Sequence, residues 1–200
     1  MRNVDVSEFQ GPLTELMQQC SGENGRPRFD EFKLWLKKIG LLKFIREVAV
    51  GGTKRFVARD AFGENNADGI KFYLWPNFTN NFLGKVEEEE NVKPTTIAIH
   101  RLEKLLRDSG IMAELGIDIM TRKGVIKLAH FHEMLKAQSQ GQEGPLLVNG
   151  YVNIAYIEDE NGVLWAVCSR WARRKWHVRT LSVEAPGKWP AGRQVLSQVS

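Results

Sequence analysis

The chain has 200 residues, 42% hydrophobic and 26% charged, with 28 Lys and Arg against 24 Asp and Glu for a net charge of +4. That length suits one medium domain or two small ones, and the composition excludes disorder as the default. The mild positive excess favours an anionic partner without identifying it.

The opening "MRNVDVSEFQGPL" lacks the apolar core of a signal peptide, and no stretch approaches the ~18 apolar residues of a membrane span. Cys20 and Cys168 form no C-x-x-C pair, so neither a disulfide framework nor a cysteine zinc site is expected. These features predict a cytoplasmic protein with no membrane partner. Without a secretory signal, the glycosylation-like triplet Asn77-Phe78-Thr79 reads as chance.

In chain order, "VSEFQGPLTELMQQC" predicts short helical turns, with Leu13, Leu16 and Met17 on one face, before the Gly-rich loop "SGENGRP". "FDEFKLWLKKIG" predicts a helix, since Phe29, Phe32, Leu36 and Ile39 recur at helical spacing, with Asp30 as N-cap and Gly40 as the C′ residue. Two β-prone runs around Gly51-Gly52 predict a hairpin. "IKFYLW" reads as a strand buried on both faces and ended by Pro76, while "NFTNNFLG" fits no element. "KVEEEENVKP" reads as a charged linker between halves.

The second half begins with "TTIAIHRLEKLLRDSG", predicted helical from Ile99, Leu102 and Leu106. "GIDIMTRKGVIKL" fits a hairpin and "AHFHEMLKAQ" a helix. "VNIAYIEDENGVLWAVCSRWARRKWHVRTLSV" predicts three antiparallel strands, turning at Asn161-Gly162 and at Ala172 to Lys175. The tail around Pro186, Gly187, Pro190 and Gly192 reads as irregular.

The expected fold class is therefore α+β, with helices and β-hairpins followed by a C-terminal three-stranded antiparallel meander. Residues 1–84 would form a basic helix-hairpin region and 85–200 a helical segment plus the meander, sharing one core. Residues Arg26 to Arg59 carry many more cations than acids. Their helix followed by a basic hairpin resembles the recognition helix and wing of a winged-helix protein, which implies groove and backbone contacts to DNA from Lys37, Lys38, Lys54 and Arg55. The resemblance covers about a third of the chain, and only one helix precedes the hairpin convincingly.

A second cationic run, Arg173, Arg174, Lys175 and Arg179, lies among Trp165, Trp171 and Trp176. Strand alternation would put Trp165 and Trp171 on one face, and Trp176, Val178 and Thr180 on one face of the next strand. On one reading the indoles are core, Trp165 included, and the cations a solvated turn. On the other the cations neutralise phosphates while a Trp or His177 stacks on bases.

His130 and His132 in "HFHE" could chelate a metal only if extended, with His100 as a third ligand; on a helix their rings diverge. "VGGTKR" lacks the spacing of a phosphate loop, no catalytic triad is evident, and no cofactor is expected. The leading expectation is a non-enzymatic binding protein for DNA or RNA in a regulatory or accessory role. A protein-interaction or inhibitor module is the alternative. A metal-dependent hydrolase or nuclease around His130 and His132 is third.

Overall fold

The computed structural model describes Thr14, Glu15, Gln18 and residues 40–84, 88–118 and 120–199. The chain divides into two compact units, 1–40 and 41–200. In the first, Thr14, Glu15 and Gln18 are helical and exposed. The predicted helix around Phe29 to Ile39 lies outside the described residues.

The second unit is built on a seven-stranded mixed sheet. Its strands are β1 (Leu42–Val50), β3 (Phe72–Leu74), β5 (Thr95–Leu102), β6 (Asn153–Glu158), β7 (Leu164–Ala172), β8 (Lys175–Ser182) and β9 (Gln194–Gln198), in spatial order β1-β5-β9-β6-β7-β8-β3. Among the described strands, only β6 with β9 and β3 with β8 run parallel. A separate ribbon pairs β2 (Thr53–Val57) with β4 (Glu88–Val92). The helices are α1 (Ala58–Phe62), α2 (Pro76–Phe78, continuing as a π-helical turn through Leu83), α3 (Asp108–Leu115) and α4 (Leu128–Ala137).

β6, at the centre of the sheet, is buried on both faces, which explains its unbroken apolar run. Ala155 and Ile157 join Phe131, Leu135 and Ile97 in one core, on the α4 face. Ile154 and Tyr156, one residue out of phase, join Ile111, Trp189 and Val195 in a second core, on the α3 face. A strand covered on both faces reads as continuous hydrophobicity rather than alternation.

This architecture corrects the predicted one. The sheet dominates, and the three strands β6, β7 and β8 are consecutive neighbours inside it rather than a separate meander. The winged-helix-like hairpin does not form. β1 pairs along its length with β5, from Leu42 opposite Leu102 to Val50 opposite Thr95, while β2 pairs with β4. A long ladder whose Val48 and Val50 reach the core outweighs a local turn. Neither Gly51 nor Gly52 adopts positive φ. Gly52 instead allows a close approach, because a Cβ there would lie 2.2 Å from the Val92 carbonyl oxygen.

Other segments change type for related reasons. Residues 95–102 are strand, not helix: Thr95, Thr96, Ile97 and Ile99 are β-branched, and sheet neighbours on both sides decide the matter. β3 is a sheet edge rather than a strand buried on both faces, and its Tyr73 is 47% exposed. The C-terminal residues 194–198, expected to be irregular, insert between β5 and β6. Within the expected linker, residues 88–92 form strand β4.

Glu89 of β4 shows why that acidic run is not a solvated linker. Its carboxylate accepts hydrogen bonds from the Leu128 and Ala129 amides, at 3.2 and 2.8 Å. It thereby caps α4, whose own Lys127 supplies no side-chain cap. Glu89→Ala should therefore lower stability by roughly 1–2 kcal/mol in urea denaturation, with Glu89→Gln losing less. Equal stability of wild type and Glu89→Ala would show that the cap contributes nothing.

Candidate nucleic-acid interface

The interface begins with the alternation of β7 and β8. Their turn is Arg173-Arg174, with φ of 51° and 60°, closing the pair Ala172 opposite Lys175. Two consecutive left-handed residues give the hairpin a twist matching its strands. Arginine rather than Asn-Gly at these positions carries a steric cost of about 1–2 kcal/mol per residue. Arg170 then faces His177 and Cys168 faces Arg179.

Tryptophans and cations separate by face. Trp176, Val178 and Thr180 point to the α4 side and are fully buried. Trp171 meets Trp176 edge-on at 5.4 Å, and Trp176 Nε1 donates to the Gln138 carbonyl at 3.2 Å. Trp165 is only half-buried, against the expectation that it is core, and its Nε1 donates to Asp159 Oδ2 at 3.0 Å. On the opposite face stand Arg170, Lys175, His177 and Arg179, with Arg173 and Arg174 exposed at the turn.

β3 extends that face with aromatic rings. Its parallel register sets Tyr73 opposite His177, with ring centroids 5.0 Å apart. Pro76 restricts the residue before it to extended backbone, and Trp75 accordingly has φ −77° and ψ 149°. The alternation of β3 thus carries one step further, and Trp75 stands beside Tyr73, edge to face at 6.0 Å. Trp75 is 42% exposed.

Between these side chains lies a cavity of about 310 Å³, lined by Trp75, Val152, Cys168, Ser169, Arg170, His177 and Arg179. A second lobe of about 240 Å³ shares Val152 and Arg179 with it and adds Lys188, Arg193, Trp189 and Asp108. The Arg193 guanidinium lies 5.1 Å over the ring of the exposed Tyr151. Among the described residues no ion pair engages Arg170, Arg179, Lys188 or Arg193.

Burial, reinforced by Arg170, Lys175 and Arg173, holds the His177 pKa below its ordinary value. His177 Nε2 lies 3.2 Å from the Ala172 carbonyl oxygen, which can only accept, so this nitrogen carries the proton in the neutral ring. Burial pushes the Cys168 thiol up to about 12, which makes it an inert core residue rather than a nucleophile. At the floor of the second lobe, burial raises the Asp108 pKa although Tyr156 Oη and Trp189 Nε1 both donate to its Oδ1, at 2.8 and 2.9 Å.

The other predicted residues are placed differently. Arg55 is engaged by Glu88 through two hydrogen bonds of 2.8 and 3.2 Å, and exposed Lys54 is its neighbour on β2. Lys37 and Lys38 lie outside the described residues. His130 and His132, on α4, diverge: their Nε2 atoms donate to the Lys93 and Ala61 carbonyls, at 2.8 and 3.2 Å. His100 lies on β5 against Phe44. Among the described residues no group of three or more His, Cys, Asp or Glu is placed to hold a metal ion, and no helix is long and apolar enough to cross a membrane.

The sequence did not point to Tyr73, Trp75, Tyr151 or Arg193, and Arg170, though part of the basic run at 170–179, was not among the candidate contacts. The only local signal was the alternation in "FYLWP", where Tyr73 and Trp75 share a face once Pro76 is known to keep Trp75 extended. No protein-family model, curated protein or solved structure matches this chain.

Proposed function

We propose that this chain binds single-stranded nucleic acid across the α3 face of β7, β8 and β3, in an accessory or regulatory role rather than a catalytic one. The observation that carries the proposal is the sorting of Arg170, His177 and Arg179 onto the same face as exposed Tyr73 and Trp75. Cations without ion pairs are available to phosphates, and exposed rings offer stacking surfaces to bases. A sheet face presenting rings in this way suits splayed, unstacked bases rather than the closed stack of a duplex.

Fluorescence anisotropy with matched single-stranded and duplex oligonucleotides tests this. Single strands should bind more tightly, and affinity should fall linearly with salt on logarithmic axes. Changing Arg170 and Arg179 to Ser should flatten that slope by about 0.7 for each phosphate no longer neutralised. Changing Arg173, Arg174 and Lys175 to Ser should also flatten it, while leaving the melting temperature nearly unchanged. Absence of binding at low salt overturns the proposal and favours the protein-interface reading, since Trp, Tyr and Arg also anchor protein partners.

A further inference from the structure

Resting on that reading, we infer that the two lobes joined at Arg179 form a site for two successive nucleotides of one strand, with Arg179 at the linking phosphate. Three features of the geometry support this. Each lobe has its own flat surface: Trp75 in the first, and in the second the Arg193 guanidinium, which lies over the Tyr151 ring. Aromatic rings and arginine planes are both platforms on which bases stack.

The lobes also share one cation. Arg179 lines both cavities and stands opposite Cys168 in the β7–β8 ladder. A phosphodiester lies between two nucleosides, and a single guanidinium placed between two stacking surfaces matches that order of groups. Finally, the flanking cations fall on either side. Arg170 borders the first lobe, and Lys188 borders the second. They would meet the phosphates that enter and leave the pair. Asp108, which lines the second lobe, accepts hydrogen bonds from Tyr156 and Trp189 at its Oδ1.

The experiment is competition against a short fluorescein-labelled oligouridylate bound to the full chain at low salt. The competitors are uridine monophosphate, uridine diphosphate, the dinucleotide pUpU and the corresponding trinucleotide. The dinucleotide should displace the probe at roughly one-tenth the concentration of either mononucleotide, since it adds one stacked base. Uridine diphosphate controls for added charge without a second base. The trinucleotide adds one flanking phosphate but no third stacking surface, so its gain should be smaller than the step from mononucleotide to dinucleotide and should fade as salt rises.

Trp75→Ala and Arg193→Ala should each abolish the dinucleotide advantage, and Trp75→Phe should restore most of it while showing that the strand end at Pro76 still folds. Equal displacement by uridine diphosphate and pUpU overturns the two-nucleotide site, even where the oligouridylate itself binds. So does an Arg193→Ala variant that keeps the full advantage. If the oligouridylate does not bind wild type at all, single-strand binding fails first and the two-nucleotide site with it.

Discussion

Replacing Trp176 with alanine should lower the free energy of unfolding by roughly 3–5 kcal/mol, the usual cost of truncating a fully buried large aromatic. The indole is 0% exposed, inside the core shared by α4 and the sheet. Truncation would leave a cavity beneath Trp171, which meets the ring edge-on. It would also remove the donor to the Gln138 carbonyl. Gln138 in turn holds the loop after α4, its side-chain amide donating to the Gln142 and Leu146 carbonyls at 2.9 and 3.1 Å. Urea denaturation at pH 7 would measure the loss from the midpoint at unchanged slope. Trp165→Ala should cost less, because that ring is half-buried and its hydrogen bond lies at the rim. A loss below about 1 kcal/mol for Trp176→Ala would place the ring outside the core.

Asp108→Ala should cost roughly 2–4 kcal/mol, because it leaves the Tyr156 hydroxyl and the Trp189 indole N–H without their shared acceptor. Asp108→Asn separates that hydrogen-bonding role from charge, since an amide oxygen can accept both bonds. Burial raises the carboxyl's folded-state pKa above its ordinary 3.8, so the folded protein binds the proton more tightly than the unfolded chain. The stability linked to that proton is fully present below pH 3.8 and is lost as pH rises through the folded-state value. Relative to Asp108→Asn, which does not titrate, wild type should therefore lose stability as pH rises above 3.8 and then level off. Thermal melts of both proteins from acid to neutral pH would show the gap widening in favour of the Asn variant. A gap independent of pH would mean that Asp108 ionises as easily in the fold as in the unfolded chain.

Local pattern was a good guide where one short segment carried the whole signal. The α4 helix follows from apolar residues at helical spacing, and the turns at Asn161-Gly162 and Arg173-Arg174 follow from two β-rich runs broken by short polar segments. The same pattern misled at residues 95–102. Ile99 and Leu102 fit a helical stripe, but in the sheet they face opposite cores. Periodicity over so few residues cannot separate a strand buried on both faces from a helix. Gly51-Gly52 misled in another way: two small residues between β-rich runs signal a turn, yet here it is Gly52 alone that is required, for a close backbone approach to residues 92–94.

By itself the sequence determined the alternation that divides Trp176 and Val178 from His177 and Arg179, because side chains on a strand must take opposite faces. It also determined the extended backbone of Trp75, through the proline that follows it. What only the tertiary structure decided is which face of that alternation is covered and what stands beside it. The α4 helix covers the tryptophan side, so the cations are left on the other. The parallel pairing of β3 with β8 brings Tyr73 to His177 across 104 positions of sequence, counted from 177 − 73. Arg55 was likewise as basic in sequence as Arg179, but pairing of β2 with β4 sets it against Glu88. Long-range strand pairing depends on which ladders bury the most apolar surface together, a property of the whole chain that no local window contains.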